Sequence, residues 1–158
     1  MSISGKYETK LVELGYTLPN APAPAAIYQP FMQTGNQLWT AGQIAVKEGA
    51  LLYRGRVGAE VSLEEARACA QLCALNLLAQ VKAACGSLDR ISKVIKLNVF
   101  VASTSEFTEQ HLVANGASEF FGTLFGDRGV HARSAVGVAV LPLNSPVEID
   151  AVFELTAQ

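Results

Sequence analysis

The chain has 158 residues, half of them apolar and only 16% charged, with a mean hydropathy of +0.26 and a formal net charge of −2. That length suits one domain (1–158) with a sizeable core, and so much apolar surface at this size points to self-association. Basic residues scattered singly exclude the stripe of a nucleic-acid binder, no apolar run reaches the ~18–20 residues of a membrane span, and an N-terminus with no apolar signal segment leaves a cytoplasmic location as the expectation.

Residues 3–15 place Tyr7, Leu11, Val12 and Leu14 among polar neighbours, which predicts a short helix ending near Gly15. Thr17–Pro24 is a proline-rich connector that cannot be helix or central strand, so residues 1–24 read as an arm packed on the domain. Ile27–Thr34 and Gln37–Ala41 are strands, joined by Gly35-Asn36 as a hairpin turn. A third extended piece follows Gly42, and the Lys47-Glu48-Gly49 turn leads to Leu51-Leu52-Tyr53. Ser62-Leu63-Glu64-Glu65 is a capping box that opens the longest helix, roughly 62–85, and Gly86 ends it with Leu88 as the contact beyond. Cys69 and Cys73 are spaced as a metal pair could be. With no histidine or second cysteine pair nearby, these two and Cys85 read as small buried hydrophobes.

Ile91–Val101 is a strand, and Phe107–Phe125 a second helix, loosened near Asn115-Gly116 and ended by Gly126. A loop, Asp127–His131, then delivers two strand-like runs separated by Leu141–Pro146. In the first run Arg133, Ala135, Gly137 and Ala139 alternate with Ser134, Val136, Val138 and Val140. In the second, Val147, Ile149, Ala151 and Phe153 alternate with Glu148, Asp150 and Glu154. The branched apolar faces are expected to meet the helices. The opposite face would then hold one arginine, two carboxylates and small side chains, leaving room for a ligand or another subunit. The order β-β-β-α-β-α-β-β predicts an α+β fold, a mixed sheet with both helices on one face.

Ala23-Pro24-Ala25-Ala26-Ile27-Tyr28, Gly35-Asn36, Ala41-Gly42-Gln43, Asn115, Arg133 through Pro142 and Val147-Glu148-Ile149-Asp150-Ala151 resemble the YjgF/RidA family. Its members are enamine/imine deaminases with the older labels endoribonuclease L-PSP and translation inhibitor. The resemblance spans about residues 22–155. It implies a chorismate-mutase-like homotrimer with ligand sites in clefts between subunits. It also implies that Arg133 binds a substrate carboxylate, that Glu148 positions or activates water, and that Tyr28, Gly42 and Asn115 line the pocket. Two positions depart: Ala41 stands where a serine is usual and Ala135 where a cysteine is common, the latter acting through its backbone. Ser118 replaces a common aromatic, which would enlarge the pocket.

Hydrolysing an imine such as 2-iminopropanoate requires a carboxylate anchor, a placed water and a proton for the departing nitrogen. An arginine fork supplies the first, and a glutamate near neutrality the others. No dinucleotide fingerprint, P-loop or His/Cys cluster is present in the sequence, so neither cofactor nor metal is expected. Arg133 beside Glu148 or Asp150 equally allows an intersubunit ion pair, and Tyr28 and Asn115 have plain packing roles open to them. His111 and His131 have no partner in the sequence and read as surface or core residues. The rival functions are a non-catalytic trimeric binder of small carboxylates and a ribonuclease. The pI near 5.7 opposes the second.

Overall fold

The computed structural model describes residues 5–21 and 27–157. The connector residues Pro22–Pro24 and the start of the Ala23–Tyr28 motif therefore lie wholly or partly outside them. The first helix, α1, spans Lys6–Glu13 and is closed by Gly15 at φ 90°. Gly5 offers no capping side chain. The Lys6 and Tyr7 amides donate instead to the Asp89 carboxylate at 2.9 and 3.0 Å, and the Tyr7 ring meets Phe125 edge-on at 4.8 Å. The arm helix is thus tied down from a distant loop.

Strands β1 (Phe31–Thr34) and β2 (Gln37–Thr40) form the expected hairpin around Gly35-Asn36. The first strand is shorter than predicted, because Ile27–Pro30 bend where an extended run was expected. Short β3 (Gln43–Ile44) and the small β4–β5 hairpin (Val46–Lys47 and Ala50–Leu51) follow. Helix α2 spans Leu63–Cys85, and its capping box closes as the sequence requires. Ser62 Oγ accepts from the Glu65 amide at 3.1 Å, and Glu65 returns the bond to the Ser62 amide at 2.9 Å. Gly86 ends it in the left-handed region, and Leu88 is fully buried. By length and composition alone α2 is apolar enough to cross a membrane, although no uninterrupted apolar run in it reaches that length. Isolated polar residues conceal this in the sequence, and here α2 is the core helix, with Cys69, Cys73 and Leu77 fully buried.

Strand β6 (Ile91–Ala102), helix α3 (Gln110–Phe125), strand β7 (Ala132–Val138) and strand β8 (Val147–Leu155) complete the fold. The sheet runs β1-β2-β8-β6-β7, with β3 also on β8; β6 and β7 are parallel and the other pairs antiparallel. The architecture is a mixed α+β fold, with three α-helices and a mixed sheet among the described residues. Phe121 and Phe153 meet edge-on beneath α3. Two expectations need correction. The helix is not loosened at Asn115-Gly116: α3 runs through, and Gly116 is the point where it crosses α2, since a Cβ there would lie 2.2 Å from the Arg67 carbonyl oxygen.

The second correction concerns the faces. Residues paired across a ladder share a face. Leu97, wholly buried under the helices, pairs with both Arg133 and Ala151; Phe100 pairs with both Val136 and Glu148. The Arg133–Ala135–Gly137 side of β7 therefore faces α3, and its branched side, with Val136 46% exposed, faces away. On β8 the apolar side does face the helices, as expected. The arginine and the two carboxylates consequently lie on opposite faces of the sheet. Alternation counts faces within a strand, but it does not say which face the helix covers when the strand is an edge and its inward residues are small.

Candidate functional site

One group of site residues lies between the edge strand β7 and α3. Asn115 and Ser118 are one turn apart, which puts them on the same side of the helix, above Arg133. Arg133 Nη1 donates to Asn115 Oδ1 at 2.8 Å and to Ser118 Oγ at 3.0 Å, and Nη2 donates to the His111 carbonyl at 3.2 Å. All three acceptors are neutral, and among the described residues no carboxylate lies within ion-pairing distance of the guanidinium. Of arginine's five N–H donors three have acceptors among the described residues, and Nε–H and one Nη2–H have none there. A carboxylate can take both at once.

Behind Arg133 stands His131, just before β7, with its ring toward the same helix face. Its Nε2 is 2.8 Å from Ser118 Oγ and its Nδ1 is 2.6 Å from the Gly129 carbonyl. Because a carbonyl only accepts, Nδ1 carries the proton. Nε2 is then the acceptor, and the serine hydroxyl donates to it. Burial lowers the His131 pKa below its ordinary value, the Arg133 charge lowers it further, and the bond to Gly129 opposes both. A shallow depression of about 270 Å³, lined by Ser118, Gly122, Gly129, Val130, His131 and Arg133, opens beside the pair. Ala135 follows on the same face and packs against the core.

The second group lies on the opposite face. Gly42, just before β3, packs directly on the Glu148 side chain: a Cβ there would stand 2.9 Å from the carboxyl carbon. Half-burial pushes the Glu148 carboxyl above the usual carboxylate range, and the neighbouring Asp150 adds to this. Asp150 itself accepts from Asn98 Nδ2 at 2.7 Å. Ala41 has its amide on the Pro30 carbonyl at 2.9 Å, which holds the Gly42 turn beside the bend containing Tyr28. Tyr28 is 58% exposed, and no hydrogen bond joins it to either group among the described residues. The three thiols stand apart: burial pushes Cys69 up to about 12 and Cys73 well above its usual value.

The structure thus brings together Arg133, Asn115 and Ala135 on one side, and Gly42, Ala41 and Glu148 on the other, without joining the two in one chain. Ser118 was expected to widen a pocket and His131 to fill surface or core, yet both belong to the arginine's network. The available signal is the spacing of 115 and 118 on one helix face together with 131 and 133 at the start of the next strand.

A family model described as YjgF/chorismate mutase-like, "putative endoribonuclease", matches residues 8–155. Protein TCP17 of Trypanosoma cruzi is 46% identical over 153 residues, 96% of each chain. A 2-iminobutanoate/2-iminopropanoate deaminase of Dermatophagoides farinae is 32% identical over 135 residues, 85% of this chain and 90% of that one. The crystal structure of an Agrobacterium tumefaciens protein of unknown function superposes with a TM-score of 0.90 at 52% identity, covering 95% of this chain and 92% of the other. With the matched segment spanning nearly all of the chain and a deaminase among its relatives, this protein belongs to the YjgF/RidA family.

Proposed function

We propose that the protein hydrolyses small 2-imino acids, and the 2-enamino acids in equilibrium with them, to 2-oxo acids and ammonia, at sites between the subunits of a homotrimer. The observation that carries the reading is the guanidinium of Arg133, which has neutral partners on three donors and, among the described residues, none on the other two. Such a pair of donors matches a 2-imino carboxylate, and it sits beside the amide-bearing strand segment around Ala135. The family relationship to an iminobutanoate/iminopropanoate deaminase supports the same substrate class.

In this reading Arg133, with Asn115 behind it, holds the carboxylate and so orients the C=N bond. Glu148, against Gly42 on the other face, comes from a neighbouring copy. Its pKa, raised by burial and then by Asp150, makes it a better proton acceptor and donor partner than an exposed carboxylate. Water adds to C2 of the protonated imine as one of its protons passes to the Glu148 carboxylate, giving a neutral tetrahedral carbinolamine. Glu148 returns that proton to the nitrogen, the C–N bond breaks to release ammonia, and the Glu148 carboxylate takes the hydroxyl proton as the C=O bond forms, then passes it to the departing ammonia. The backbone around Ala41-Gly42 and the ring of Tyr28 contribute to the wall of the cleft.

The test couples the protein to an amino-acid oxidase that generates 2-iminopropanoate from alanine. Faster loss of the imine than in buffer supports the reading, and no acceleration at saturating protein contradicts it. A second reading, a carboxylate-binding trimer without turnover, is favoured by the absence of any side-chain hydroxyl at Ala41. It is selected if pyruvate binds by calorimetry while imine loss stays at the background rate.

A further inference from the structure

The contacts of Ser118 and His131 form a directed chain. Arg133 Nη1–H donates to Ser118 Oγ at 3.0 Å, the Ser118 hydroxyl donates to His131 Nε2 at 2.8 Å, and His131 Nδ1–H donates to the Gly129 carbonyl at 2.6 Å. Every link has one donor and one acceptor, and reversing any of them leaves a mismatch. If the serine hydroxyl pointed at Arg133 it would face a group with no acceptor. If His131 carried its proton on Nε2, Nδ1 would meet the Gly129 oxygen lone pair to lone pair.

We infer that Ser118 and His131 act as a positioning pair for Arg133, the neutral imidazole fixing the serine rotor so that its oxygen holds Nη1 and leaves the Nε–Nη2 edge free for a carboxylate. The inference rests on the assignment of Arg133 as the carboxylate-binding group. It goes further by giving two residues, neither of which touches the substrate, control over where the fork points.

Three features of the surroundings support it. Asn115 alone would leave one of the two Nη1 hydrogens without an acceptor, and the guanidinium could turn about its last torsions toward solvent. Ser118 closes that freedom from the same helix face. His131 is itself immobilised, with its ring edge-on to Phe121 at a centroid distance of 6.3 Å and its far nitrogen on backbone. The elements that carry the parts are also coupled. Gly129 has no room for a side chain, a Cβ there falling 2.3 Å from the Phe121 carbonyl oxygen, so the turn presenting its own carbonyl to His131 is pressed onto α3. Helix, turn and strand therefore hold the chain of bonds from three directions.

A group that only orients the anchor is expected to weaken substrate capture more than it slows the bound substrate. Ser118→Ala is predicted to raise KM for 2-iminopropanoate, and Kd for pyruvate, by about tenfold, the usual scale for one hydrogen bond to a charged group. Its kcat should stay within about threefold of the parent's. His131→Ala should reproduce the KM increase, whereas Ser118→Thr, which keeps the hydroxyl, and His131→Gln, which keeps an acceptor for it, should restore most of the affinity. In ¹⁵N spectra of the unliganded protein His131 should show a protonated Nδ1 and an unprotonated Nε2, and the Nε2 resonance should move in Ser118→Ala. Unchanged KM and pyruvate affinity in folded Ser118→Ala and His131→Ala would overturn the pair, as would His131 protonated on Nε2. If the parent does not consume the imine, the proposed reaction fails instead, and the positioning pair is then decided by pyruvate affinity. If pyruvate does not bind either, it is decided by the His131 spectrum alone. Should Ser118→Ala not fold, the contrast between His131→Ala and His131→Gln decides the same question.

Discussion

At the scale of single residues, Arg133 and Glu148 are shaped by opposite solvation problems. The guanidinium's three partners are neutral oxygens, and among the described residues no carboxylate compensates its charge, so a substrate carboxylate would add a charge-assisted fork. Lysine cannot reproduce this, because its ammonium is a point charge without a planar edge. Arg133→Lys is expected to lower kcat/KM for imine hydrolysis by about a hundredfold, read in the oxidase-coupled assay.

Glu148 is the reverse case, a carboxyl whose charge is penalised by burial and by Asp150. The folded protein holds this proton more tightly than the unfolded chain. Ionising it therefore costs stability as pH rises from the ordinary value of 4.5 through the raised one, and the cost is absent below that window. Glu148→Gln is predicted to melt with the parent at pH 4 and above it at pH 7, while imine turnover falls by about 10²–10⁴-fold, the usual contribution of a general acid–base. A parent and variant with the same Tm at both pH values would remove the burial argument for this carboxyl.

At the scale of elements, helix α3 shows what a glycine is for. Gly116 and Gly122 lie in the same helix, and only the first is at a crossing. Gly116→Ala places a methyl group 2.2 Å from the Arg67 backbone oxygen and should lower stability by about 1–3 kcal/mol in urea unfolding. At Gly122 an added Cβ meets nothing within 4 Å, so Gly122→Ala should raise stability by about 0.5–1 kcal/mol. If both changes destabilise, the tight crossing is not the reason for Gly116.

The same helix marks the limit of what was legible beforehand. Local signals placed α2 closely, because the Ser62/Glu65 box and Gly86 are satisfied within a few residues of the chain. The loosening expected at Asn115-Gly116 was a misreading of a long-range cause: glycine there is demanded by Arg67, 49 positions away in sequence, with no local mark. The facing of β7 was hidden for a related reason. An edge strand can turn small or polar residues inward under a helix end, and periodicity does not distinguish that from outward exposure. Gly42 and Glu148 both stand out in the sequence, yet their direct packing depends on β3 pairing to β8 across more than 100 residues. Ser118 and His131 escaped because each is ordinary in its own segment, and only the fold puts them in register.

At the scale of the molecule, the open side of the sheet carries Met32, Trp39 and Val136, all more than 40% exposed, among Lys96, Asn98, Ser134, Glu148 and Asp150. The apolar excess of the composition is thus partly gathered on the face opposite the helices, where a neighbouring copy would bury it in the proposed trimer. Because Arg133 faces α3 and Glu148 faces the other way, one chain would offer two half-sites in the proposed trimer, each completed by a different neighbour. Mixed assembly tests this most directly. Arg133→Ala and Glu148→Gln, each inactive alone, are unfolded together in equal amounts, refolded and assayed for imine hydrolysis. In a cyclic trimer roughly a quarter of the interfaces then unite an intact Arg133 with an intact Glu148, and activity should return to roughly that fraction of the parent's. A refolded mixture no more active than the separate variants would contradict a site shared between two chains.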